Sequence, residues 1–108
     1  MISEEEIERA LQWLVQNAEP AALARANKIY LEEYGKVVLS DEMKKSGESS
    51  AAAQEREARS SEAYRNHLLG LQEAVREDYK YGWLRSTAEA KIEAWRSLCA
   101  NARIQGKV

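Results

Sequence analysis

The sequence predicts an all-α protein: an elongated antiparallel helical hairpin or coiled coil with one long C-terminal helix, built as a single helical domain over residues 1–108. Three observations predict it. From Ser61 onward the chain has no proline and keeps a helix-like apolar pattern for more than 40 residues. The composition is rich in Ala, Glu, Arg, Lys and Leu, with one Pro and five Gly, as in long helices and coiled coils. A single Ser- and Gly-rich break near the middle allows the chain to fold back.

The first arm spans about residues 4–45. Ser3 and Glu6 have the spacing of a capping box, and Glu4, Glu5 and Glu6 suit the positive end of a helix. Ile7, Leu11, Leu14 and Val15 then recur at helical spacing, so the first helix runs to about residue 17. Asn17 can close that helix or cap another, and Pro20 implies a kink or a brief break, since proline is tolerated in a first helical turn. The second helix covers residues 21–45. Leu23, Tyr30, Tyr34, Val37 and Val38 form a broad stripe on it, with Glu32, Glu33 and Lys36 largely off that stripe. Lys44 and Lys45 complement its negative end.

Residues 46–50 read as a loop and residues 51–59 as a short helix. Ser60 and Ser61 can cap the long helix, about 61–103. Its stripe reads Tyr64, Leu68, Leu71, Val75 and Tyr79, and beyond Gly82 continues as Ala88, Ile92, Trp95, Cys99 and Ala102. Gly82 is a candidate bend or close helix approach.

Aligning Lys45 with Glu62 sets a hairpin register. Tyr30 and Tyr34 then face residues 75–79, and Trp13 faces Trp95. Residues 1–20 carry five Glu and one Arg, whereas residues 80–108 carry six Lys and Arg against Glu89 and Glu93. Opposite charges of this kind select a register rather than supply stability. Trp13, Tyr30, Tyr34, Leu68, Leu71, Val75, Tyr79, Ile92 and Trp95 are the expected packing residues, within the chain or between copies. Tyr79, Tyr81, Trp83 and Leu84 point to several sides of one helix, so a homo-oligomer is expected, a dimer being the simplest.

Chemistry-bearing motifs are few, and no catalytic residue is assigned. His67 is the one histidine and sits beside the Tyr64–Leu68–Leu71 stripe. Cys99, the one cysteine, has the spacing of a packed hydrophobe and excludes an internal disulfide. No metal-ligand spacing and no phosphate-binding glycine loop occurs, so neither metal nor cofactor is expected and an enzyme is not the expectation. The acidic start is unlike a signal peptide, and no apolar run reaches the length of a membrane span, so a soluble protein of the reducing cytoplasm is expected.

The most suggestive cluster is Lys80, Tyr81, Trp83 and Arg85, followed by Lys91, Arg96 and Arg103. Aromatic rings among cations suit single-stranded nucleic acid, because bases stack on rings while cations hold phosphates. The competing reading makes the rings oligomer core and pairs the cations with the acidic arm. The net charge of −2 is unlike that of a dedicated duplex-DNA binder.

Ser49–Ala58, Tyr64, His67–Leu71, Ala74–Val75, Ala90–Arg96 and Asn101–Arg103 resemble a family of small helical proteins of tailed bacteriophages and prophages, encoded among early or DNA-metabolism genes. The likeness covers roughly residues 25–103. More distantly, the layout resembles the UvsY family of phage recombination mediators, through Ile92-Glu93-Ala94-Trp95-Arg96, with an added Ala before the Trp. These resemblances imply a protein of the bacterial host cytoplasm. They imply an oligomeric recombination or replication accessory that touches single-stranded DNA or a recombinase. The alternative is a phage-encoded module that binds a host protein, for example a defence factor, without nucleic acid. A coiled-coil assembly factor with no external ligand is a third reading.

Overall fold

A computed structural model describes residues 2–106, and these are all-α, with no strand among them. Four helices follow in order: α1 (Glu4–Gln16), α2 (Ala18–Lys45), α3 (Ala51–Arg59) and α4 (Glu62–Gly106). The long C-terminal helix α4 has 45 residues. The described chain divides into two compact units, one of residues 2–22 with 79–106, the other Leu23–Asp78.

Local chemistry sets the helix ends. Ser3 Oγ accepts a hydrogen bond from the Glu6 amide at 3.1 Å, and its carbonyl accepts from the Ile7 amide. Asn17 ends α1 and starts α2: its amide and its Nδ2 both donate to the Trp13 carbonyl at 2.9 Å, and its own carbonyl accepts from Ala21. The break is that single residue. Pro20 is the third residue of α2, where a missing N–H loses no helical bond.

Ser50 caps α3 by accepting from the Ala53 amide at 3.1 Å. Ser61 caps α4, accepting from the Tyr64 amide while its hydroxyl donates to the Ala58 carbonyl. Gly70 and Gly82 lie within α4 with no neighbour within 4 Å of the position a Cβ would take, so Gly82 marks neither a close approach nor an end of the helix.

Within the unit Leu23–Asp78, α2 and α4 pack antiparallel through faces of heptad spacing. From α2 come Ala24, Lys28, Leu31, Gly35, Val38 and Glu42; from α4 come Tyr64, His67, Leu71, Ala74 and Asp78. All are buried or half-buried. The buried apolar positions are small, with Ala58 only 2% exposed, alongside Ala24 and Ala74. Small side chains let helices approach closely, but they bury little apolar surface.

The register differs from the one that aligns Lys45 with Glu62. Tyr34 lies against His67, with ring centroids 6.4 Å apart, not against residues 75–79. Asp78 instead receives Arg25 and Lys28. The physical reason lies at the turn. Ser46 Oγ donates to Glu57 Oε2 at 2.9 Å, so α3 folds beside the end of α2 and pairing starts before α4 begins.

In the unit of residues 2–22 and 79–106, Ile7, Ala10 and Ala88 are buried. Trp13 packs on Tyr81, with centroids 6.4 Å apart, and shares a groove with Leu84, Thr87, Ala88 and Lys91. Trp95 lies instead beside Ile2, Leu98 and Ala102. The Trp13–Trp95 alignment is therefore not adopted. Tyr81 and Trp95 are separated by almost four helical turns, about 21 Å of rise. Because α1 is a separate helix, broken from α2 at Asn17, its pairing does not inherit a register set at the far turn.

Candidate interaction surfaces

The basic and aromatic cluster of α4 does not form one surface. At 3.6 residues per turn, Arg85, Arg96 and Arg103 share one side of the helix, while Lys80, Trp83 and Lys91 share nearly the opposite side. Tyr81 belongs to neither: it is half-buried against Trp13, and the Lys80 ammonium sits 5.2 Å from its ring centroid. Trp83 is 73% exposed.

The cations are partly neutralised from within their own helix. Arg85 Nε lies 3.6 Å from Glu89, and Arg96 Nη1 lies 3.1 Å from Glu93. Neither pairs with the acidic residues of α1 among the described residues. Lys91 and Arg103 are exposed and have no ion-pair partner among the described residues. Exposed pairs four or three residues apart contribute only tenths of a kcal/mol, but they reduce the charge offered to a phosphate chain.

The apolar residues are distributed unexpectedly. Leu71, Val75, Ile92 and Trp95 are half-buried within the chain. Leu68 and Tyr79 are exposed, as are Leu69 and Leu84. On α2, Leu23 (71%) and Tyr30 (60%) stand out to solvent, with Tyr34 and Val37 also exposed. Tyr30 and Tyr34 stack, their centroids 5.6 Å apart and their planes 20° from parallel. On α2 the stripe that would be chosen by size is largely outside, whereas on α4 that stripe is partly covered and shares the inside with His67, Ala74 and Asp78.

The polar centre of the unit Leu23–Asp78 is Asp78, which is 7% exposed. Arg25 Nε donates to its Oδ1 at 3.2 Å, and Lys28 Nζ lies 3.4 Å from its Oδ2. Burial pushes the carboxyl pKa up, but the hydrogen bonds from Lys28 and Arg25, and their charges, outweigh it and hold the pKa below its ordinary value. Sequence patterning missed this site. The signal was the stripe Tyr64, His67, Leu71, Ala74, Asp78 and Tyr81, whose 3-and-4 spacing is unbroken but which mixes large residues with a histidine, an alanine and an aspartate.

Cys99 is a free, half-buried thiol beside Trp95. His67 is wedged between Tyr34, Tyr64 and Gly35. Among the described residues, no group of three or more His, Cys, Asp or Glu side chains could hold a metal ion, and no helix is long and apolar enough to cross a membrane. Compared with protein-family models, curated proteins and solved structures, the chain matches none.

Proposed function

We propose that the chain is a non-enzymatic helical module that works by protein–protein contact through its helix faces, with its own copy among the partners. One observation carries this reading. On one side of α2, Leu23, Tyr30, Tyr34 and Val37 stay exposed, while the buried apolar positions of the same unit are alanines. Contiguous exposed apolar surface of this kind marks interaction sites. The resemblance to small phage helical proteins is the support for a bacterial host cytoplasm as its setting and for a host protein, such as a defence or replication factor, as the external partner.

A second reading rests on the Lys80–Trp83–Lys91 side of α4, where an exposed indole lies between two cations. It is the recombination or replication accessory that holds single-stranded DNA, Trp83 stacking on a base and the lysines on phosphates. The division of the cluster and the internal pairing of Arg85 and Arg96 favour the protein-contact reading over this one.

Fluorescence anisotropy with a labelled single-stranded oligonucleotide separates them. The protein-contact reading expects no binding at about 50 mM salt, where electrostatic contacts are strongest. Tight, steeply salt-dependent binding that is lost on Lys80→Ala/Trp83→Ala/Lys91→Ala would replace it with the accessory reading.

A further inference from the structure

We infer that the exposed stripe of α2 is the seat of a second copy of this chain, docked antiparallel about a two-fold axis. The inference rests on the protein-contact reading and names the partner of that surface. Leu23, Tyr30, Tyr34 and Val37 follow one another at spacings of seven, four and three residues, the spacing of a coiled-coil seam. The neighbouring face of α2, through Ala24, Lys28, Leu31, Gly35 and Val38, about 110° round the helix, is already occupied by α4, with Tyr34 at the boundary against His67.

Three arguments select a second copy. The first is area. The chain has 8168 Å² of accessible surface at a mass of 12.3 kDa. A globular monomer of that mass presents about 6,100 Å², so roughly 2,000 Å² is in excess. A stable dimer removes about 800 Å² from each partner, which the excess supplies.

The second argument is symmetry. The midpoint of α2 falls between Tyr30 and Tyr34, which are already stacked on each other. Two α2 helices overlapped antiparallel along their full length therefore place the axis at this pair. Tyr30 then meets the partner's Tyr34 on each side of the axis. Leu23 lies in the turn formed by the partner's Val37 and the partner's Asp41. Four tyrosine rings gather at the centre, where interface energy concentrates.

The third argument is charge. Helix α2 carries five acidic and five basic residues, a net of zero. Lys36 pairs with Glu33 in its own helix, and Arg25 and Lys28 are drawn to Asp78. No net field repels an identical helix, and none selects a strongly charged partner.

Light scattering on the full chain tests the inference. The wild type is expected at twice 12.3 kDa at high micromolar concentration. The variant Leu23→Gln/Tyr30→Gln/Tyr34→Gln, checked for retained helicity by circular dichroism, is expected to raise the dimer Kd by at least about 100-fold. A Leu69→Gln/Trp83→Gln control on α4 is expected to leave it unchanged. Charge substitution gives a positive arm. A Tyr30→Glu/Tyr34→Glu chain and a Tyr30→Lys/Tyr34→Lys chain are each expected to be monomeric alone and to pair when mixed.

A wild type that stays monomeric overturns the inference. So does a dimer that survives the α2 variant and dissolves in the α4 control. Both leave contact with an external protein partner to be judged separately, by the oligonucleotide titration of the wild-type chain.

Discussion

Asp78 Oδ1 accepts a hydrogen bond from Arg25 Nε at 3.2 Å, across 53 residues of sequence. The contact places a carboxylate on the packed face of α4, at a position where an apolar residue would fit the seam. Lys28 closes the other side of the same carboxylate. Removing the acid strands Arg25 and leaves Lys28, the more covered of the two, with only Glu32 at 4.0 Å. Asp78→Ala is expected to cost about 1–2 kcal/mol in urea unfolding, because a partly buried charge loses its partner.

The same group gives a pH dependence. The folded pKa of Asp78 lies below the ordinary 3.8, so the unfolded chain binds this proton more readily. Its contribution is fully present above the unfolded value and is lost as pH falls through the folded one. Urea midpoints measured from neutral pH into the acid range are expected to fall below about pH 4. The acid-range slope is expected to be shallower in Asp78→Asn. An unchanged slope would mean that the pairing contributes nothing.

Gly35 and His67 form a tight contact. A Cβ on Gly35 would sit 2.8 Å from His67 Nε2. Gly35→Ala alone gains helix propensity but must displace the imidazole. In a His67→Ala background the same substitution is expected to gain about 1 kcal/mol. The double-mutant cycle should therefore show a coupling of at least about 0.5 kcal/mol.

Gly70 and Gly82 behave differently, because nothing lies within 4 Å of a Cβ at either site. Gly70→Ala and Gly82→Ala are each expected to raise stability by about 1 kcal/mol. A loss at either position, read as a lower Tm, would reveal a contact made only in an assembly.

The two indoles should separate cleanly. Trp13 is half-buried on Tyr81, so Trp13→Ala is expected to cost about 2 kcal/mol. Trp83 is mostly in solvent, so Trp83→Ala is expected to change stability by less than about 0.5 kcal/mol. Equal losses would show that Trp83 is covered in solution.

What the sequence determined by itself is local. Helix formation depends on residues within a turn or two, so the all-α class and the long C-terminal helix followed from composition and the absence of proline after Ser61. The Ser3 and Ser61 caps are local in the same sense, each hydroxyl satisfying an amide three residues on. Which stripe of each helix turns inward is not local. Size favoured Leu68 and Tyr79, and the fold chose His67, Ala74 and Asp78, because Ala24, Gly35 and Ala74 on the facing sides leave room for α2 and α4 to approach. Register was decided the same way, by α3 beside the end of α2 and by two cations converging on Asp78. The basic and aromatic cluster of α4 is contiguous in sequence, but helical rotation divides it, and only the fold shows Tyr81 taken by Trp13 and Trp83 left in solvent.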